Sequence, residues 1–132
     1  MNDFLDRVLA ALDARDPQQV AALFAEDYRS AQPVHPGREF VGRAQVLENW
    51  TAVFEGIPDF TAHLLSATQE GDTVYGEWEW TGTYVDGSPF AMCGLTVLVL
   101  RDGEIAEGRL YMEAVERQES TIQDSVEELY RR

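Results

Sequence analysis

The stretch VYGEWEWTGTY, residues 74–84, decides how the rest of the chain is read. Its side chains alternate in character with period two, the pattern of a β-strand with one buried face. One face carries Val74, Gly76, Trp78, Trp80, Gly82 and Tyr84. The other carries Tyr75, Glu77, Glu79, Thr81 and Thr83. Burying Glu77 and Glu79 side by side would cost several kcal/mol without partners and leave two indoles in water. The tryptophan row is therefore expected to point inward and the carboxylates outward. The inward row has two readings, plain core packing or the wall of a pocket, with Gly76 and Gly82 leaving space beside the rings.

Outward from this stretch the same period recurs. FTAHLLSATQ (60–69), TVYGEWEWTGTYV (73–85), FAMCGLTVLVL (90–100) and EIAEGRLYMEAV (104–115) read as four strands, separated by the turn signals EGD, DGSP and RDG. Upstream the period is that of helices. Asn2 caps a first helix with Phe4, Leu5, Val8, Leu9 and Leu12 on one stripe. Asp16 caps a second, with Pro17 at its first position, Gln19 completing a capping-box pattern, and Val20, Leu23 and Phe24 on its buried side. Residues 28–42 read as a short strand and a loop. Val46, Leu47, Trp50, Val53 and Phe54 mark a third helix, ended by Gly56 and Pro58. The order implies an α+β fold: three N-terminal helices, then an antiparallel meander covered on one face. The domain is expected over residues 1–115. The tail, 116–132, reads as a short helix capped by Ser120, its narrow apolar stripe (Ile122, Val126, Leu129, Tyr130) packed on the body or on a partner subunit.

The 132 residues suffice for one domain with its own core. Twenty-four acids against ten bases give a net charge of −14, which repels phosphate backbones and anionic membrane surfaces. No nucleic-acid or membrane partner is expected. The first residues are acidic where a secretory leader would be basic, so a cytoplasmic protein is expected. The single cysteine, Cys93, sits in an apolar run and reads as a small buried hydrophobe. Two distant histidines and no acidic cluster at ligand spacing point to no metal.

Three helices before a long meander, together with ALFAEDYRSAQPVHPGREFVGRAQV, IPDFTAHL and RDGEIAEGRLYMEAV, resemble the nuclear transport factor 2-like superfamily, and most closely its SnoaL-like branch. The resemblance covers residues 4 to about 115. It implies a cone: a bent sheet wrapped around the long helix, with a deep apolar pocket at the wide end. It also implies a homodimer through the outer sheet face. The fold hosts cyclases, isomerases, epoxide hydrolases, dehydratases and non-enzymatic binding modules, so function must be argued from the site.

Position by position, the resemblance removes two activities. Where ketosteroid isomerases carry their base, their tyrosine and their acid, this chain has Gln32, Val8 and, within one residue, Thr96. Where limonene-type epoxide hydrolases hold their water, it has Trp78, Trp80 and Leu110. SnoaL-type cyclases use an acidic residue near the end of the last strand, and the pattern LYME places Glu113 there. Strand parity sets Glu113 opposite to Leu110 and Met112 unless a bulge intervenes.

His35, in PVHPG, can exchange a proton near neutral pH and should lie near the pocket mouth. His63 reads as structural or as part of a subunit contact. Glu107 and Arg109 share a face as a surface pair. The expected lining is Trp50, Phe54, Trp78, Trp80, Met92, Leu110 and Met112, with Tyr28 and His35 toward the mouth. Tyr28 and Tyr111 each offer a hydroxyl to a ligand. Two functions fit. One is a cofactor-independent cyclase or isomerase that moves a proton with His35 or Glu113 on an apolar cyclic or polyketide-like substrate. The other is a non-catalytic ligand-binding or dimerisation module.

Overall fold

The caps place the first helices. In the computed structural model, which describes residues 1–131, Asn2 accepts from the backbone N–H of Leu5 at 3.0 Å and opens α1 (Asp3–Ala14). Asp16 accepts from the N–H groups of Gln18 and Gln19 and opens α2 (Pro17–Ala21). Then come β1 (Phe24–Ala31), a 3₁₀ turn (Pro36–Arg38), β2 (Phe40–Val41) and α3 (Arg43–Gly56). The meander follows as β3 (Thr61–Glu70), β4 (Thr73–Thr83), β5 (Pro89–Arg101) and β6 (Glu104–Ala114), and α4 (Ile122–Tyr130) ends the described chain.

The six strands form one curved sheet in the order β2-β1-β6-β5-β4-β3. All pairs are antiparallel except β1 with β6, which is parallel. The expected order of helices first and strands second is corrected here. β1 and β2 come between α2 and α3, and β1 closes the sheet against the last strand of the meander. Leu23 and Phe24, read as helical, lie beyond α2, and Phe24 begins β1.

On β4, Val74 and Trp78 are buried at 0% and 2% exposure, while Tyr75, Glu77 and Glu79 are exposed. The helices lie on the tryptophan side, with α1 against β3 and α3 against α2 and β1. Leu5, Val20, Val74 and Ile105 are the most fully enclosed side chains of the core. The curvature has local causes. Register shifts interrupt β3 between Leu64 and Ser66 and the β5–β6 pair at Val99 and Leu100. At Gly94, φ is +151° and a Cβ would stand 1.9 Å from the Tyr111 carbonyl oxygen, so only glycine fits.

Four further expectations change. Gly76 and Gly82 do not leave room for a guest: a Cβ at Gly76 would meet Leu5 and the Trp78 indole at 2.9 Å, and one at Gly82 would meet Ile57 at 2.5 Å. These glycines admit neighbouring core side chains. Cys93 is exposed, because it alternates with inward-facing Met92 on β5. The bulge at Leu65 breaks the parity shared by His63, Leu65 and Ala67: His63 and Leu65 are exposed and Ala67 is half-buried. The last helix is capped by Thr121, which exchanges bonds with Asp124, one residue later than expected. Its apolar stripe does not pack on the body: Ile122 and Leu129 are 80% and 79% exposed.

Candidate functional site

A cavity of about 290 Å³ lies between the helices and the inner face of the sheet. Val8 and Leu12 from α1 and Val46, Asn49, Trp50 and Val53 from α3 form one side. Trp78 and Trp80 from β4, Phe90, Met92 and Thr96 from β5, and Leu110 from β6 form the other. Phe24, Tyr28 and Ser30 of β1, and Gln32 just beyond it, close the end where β1 joins β6. No lining residue is charged.

Aromatic rings define one region of the wall. Trp50, Phe60 and Trp80 stand 5.5–5.8 Å apart, centroid to centroid, in edge-to-face or tilted contacts. Phe90 adds a fourth ring, 5.9 Å from Phe60. The two tryptophans of the opening stretch differ in their polar ends. The Trp78 indole N–H donates to Thr96 Oγ1 at 2.9 Å, whereas the buried Trp80 N–H has no hydrogen-bond partner.

The polar groups come mainly from β1. Tyr28, Ser30 and Gln32 are spaced by two, so they share a face. Tyr28 is 2% exposed, and burial pushes its phenol above the ordinary 10.0, against a smaller opposing effect of the Ser30 hydroxyl bond. The phenol is therefore a neutral donor at physiological pH. A Cβ on Gly108 would stand 2.3 Å from the Tyr28 oxygen, so the hydroxyl occupies the space of the missing side chain on β6.

Of the residues expected to line the pocket, Trp50, Trp78, Trp80, Met92, Leu110 and Tyr28 do so. Tyr28 is deep in the wall rather than at the mouth. Phe54 is not a lining residue: it lies one turn beyond Trp50 and packs against Trp50 and Phe60. Tyr111 belongs to the outer face, 37% exposed, because it alternates with Leu110. Met112 points inward and is buried in the core but does not border the cavity. Val8, Gln32 and Thr96, the three positions matched to isomerase catalytic groups, all line it as uncharged residues.

His35 and Glu113 meet. Ala31 of β1 is in register with Arg109 of β6, and four residues further along both chains the His35 Nε2 lies 2.7 Å from Glu113 Oε1. The pair is partly open, with side chains 35% and 53% exposed, and neither residue borders the cavity. Glu113 has the parity of exposed Arg109 and Tyr111. The loop that carries His35 is tied to Gln32: the His35 N–H donates to the Gln32 carbonyl at 2.7 Å, and Arg38 donates to Gln32 Oε1 at 2.9 Å. Glu107 and Arg109 are both exposed. The ion pair nearby is instead Arg101 with Asp27. Among the described residues no group of three His, Cys, Asp or Glu side chains is placed to hold a metal ion.

Residues 5–108 match the SnoaL-like domain. The chain belongs to the SnoaL-like family. Solved structures share the fold across nearly the whole length. A protein of ketosteroid isomerase-like fold from Catenulispora acidiphila, in complex with trimethylamine, superposes with TM-score 0.72 at 21% identity, over 96% of this chain and 94% of that one. A protein from Jannaschia assigned as a SnoaL-like polyketide cyclase gives 0.70 at 20%, over 84% and 83%. AclR of Streptomyces galilaeus, assigned as a hydroxylase, gives 0.73 at 14%, over 98% and 88%. At these identities the likeness establishes the SnoaL-like fold and not a reaction. A comparison with curated proteins found no match. No helix among the described residues is long and apolar enough to cross a membrane.

Proposed function

We propose that this SnoaL-like protein binds a small, largely apolar ring compound of polyketide-like chemistry and promotes its cyclisation or isomerisation by proton transfer, without a cofactor. The observation that carries the binding reading is the uncharged cavity, whose volume of about 290 Å³ lies at the lower end of small-molecule sites. An aromatic wall removes apolar surface from water, and a few neutral hydroxyls and amides remain to orient a guest. The proton-transfer reading rests on the contact of His35 with Glu113, and because neither lines the cavity it requires a guest that reaches beyond the lining to this pair. An imidazole hydrogen-bonded to a carboxylate is oriented to pass a proton to and from a substrate. The end of the last strand is also where the family resemblance puts an acid in cyclases, and the Jannaschia relative is assigned to that class.

A second reading, a non-catalytic ligand carrier, is favoured by one observation: the cavity wall itself bears no carboxylate and no imidazole. Native mass spectrometry of protein taken from its host, followed by incubation of the released compound with fresh protein, separates the two. Conversion that is lost in His35→Ala and Glu113→Gln supports the enzyme. Recovery of the compound unchanged supports the carrier. In either case we propose a homodimer through the outer sheet face, where Leu65, Tyr75, Leu95 and Tyr111 are 37–51% exposed, and a cytoplasmic setting.

A further inference from the structure

We propose that Tyr28 and Thr96 form a paired hydrogen-bond donor seat for one acceptor oxygen, so that the cavity selects an uncharged ring compound bearing a carbonyl. This rests on the ligand-binding reading above and names the chemistry the cavity recognises.

Thr96 Oγ1 already accepts the Trp78 indole N–H at 2.9 Å. Its own hydrogen is left to give, and no hydrogen bond from it to a protein acceptor is found among the described residues. The Tyr28 phenol stays neutral, its pKa raised by burial against a smaller opposing effect of the neighbouring Ser30 hydroxyl. Tyr28, Ser30, Trp78 and Thr96 are all at least nine-tenths buried, so water is a poor competitor at these groups. The Thr96 hydroxyl thus has one acceptor site engaged and its proton to give, and the neutral Tyr28 phenol carries a proton of its own.

The fold then brings the two together. The Tyr28 oxygen occupies the side-chain space of Gly108. On β6, Gly108 stands two residues from Leu110, the register partner of Thr96 on β5. Gly108 and Thr96 are therefore diagonal neighbours on one face, about 7–8 Å apart at the backbone and closer between side chains. Two donors at such a spacing can converge on a single oxygen between them. A carbonyl oxygen has two lone pairs and accepts both bonds.

Volume and charge narrow the class. A cavity of about 290 Å³ has room for a fused pair of rings. With no charged residue in the wall, an ionised guest would lose its hydration without a counter-ion. The aromatic rings alone would also accept a methylated ammonium by cation–π attraction. Hydroxyls with only protons to give favour an acceptor instead.

The test is calorimetric titration of the full chain with 1-tetralone, with its hydrocarbon analogue tetralin, and with tetramethylammonium. Wild type should bind both ring compounds and not the ammonium. The ketone-to-hydrocarbon affinity ratio should fall about tenfold in Tyr28→Phe and in Thr96→Val, with tetralin affinity unchanged in Tyr28→Phe. Circular dichroism verifies folding, and Tyr28→Phe preserves the ring should Thr96→Val unfold. An unchanged ratio in Tyr28→Phe overturns the seat while leaving the apolar cavity standing. Tighter binding of tetramethylammonium than of tetralone overturns it in favour of a cationic guest. Failure of all three compounds to bind overturns the cavity reading beneath it.

Discussion

His35 Nε2 lies 2.7 Å from Glu113 Oε1 although 78 residues separate them in sequence. The contact follows from topology. β1 runs parallel to β6, so the loop after β1 continues alongside the end of β6. Because both side chains are partly solvated, the pair should matter far more to chemistry than to stability. His35→Ala and Glu113→Gln should each change unfolding free energy by less than about 1 kcal/mol. On the compound that co-purifies, each should slow turnover by about a hundredfold or more. Chemical denaturation and a rate assay on the same preparations test both halves.

Gly94 should be the least replaceable glycine. Its φ of +151° and the 1.9 Å approach of the Tyr111 carbonyl oxygen to its Cβ position oppose a backbone atom, which cannot step aside as a side chain can. Gly94→Ala should lose roughly 3 kcal/mol or more, read as a shift in the denaturant midpoint. A denaturation curve indistinguishable from wild type would contradict the close backbone approach at this residue.

Gly108 and Tyr28 should be coupled. In Gly108→Ala the new methyl meets the Tyr28 oxygen at 2.3 Å, whereas with the hydroxyl removed the nearest remaining ring atom is at 3.2 Å. Gly108→Ala should therefore cost less in a Tyr28→Phe background, by about 1 kcal/mol in a double-mutant cycle. Additive effects would place the phenol elsewhere.

The pH dependence has a definite sign at each end. The Thr83 N–H bond holds the Asp59 carboxyl below the ordinary 3.8, the Arg101 guanidinium does so for Asp27, and the Ser88 hydroxyl for Asp86. Depressed carboxyls contribute stability that is present above the unfolded value and lost as pH falls through the folded one. Stability should thus decline below about pH 4, and Asp59→Asn should make that decline shallower. Tyr28 acts in the opposite range. Its folded value lies above 10.0, so the unfolded chain ionises first and stability falls as pH rises past 10. Tyr28→Phe should flatten that alkaline limb in a series of thermal melts.

The meander was legible because period two is strong there: the four strands begin and end within a residue or two of the turn signals. The inward tryptophans and outward glutamates of β4 followed from the same alternation. β1 was harder to read. Phe24 continues the apolar spacing of Val20 and Leu23, so helix and strand cannot be told apart locally. The parity that sets Glu113 opposite Leu110 and Met112 also puts Tyr111 on the outer face, and the same alternation along β5 puts Cys93 there. The distinction between Trp78, bonded to Thr96, and Trp80, with no partner, depends on cross-strand register, which no single segment encodes. Gly76 and Gly82 were misread for a related reason. Besides the Trp78 indole, what fills the space beside these glycines is Leu5 from α1 and Ile57 from the turn after α3, both far away in sequence.

Whether the cavity takes an apolar ring guest is read most plainly from a crystal of the protein soaked with naphthalene. Electron density for the two rings is expected in the cavity, against Trp50 and Trp80 and within reach of Tyr28. An empty cavity under saturating naphthalene, or one collapsed so that Trp50 meets β1, would contradict that expectation.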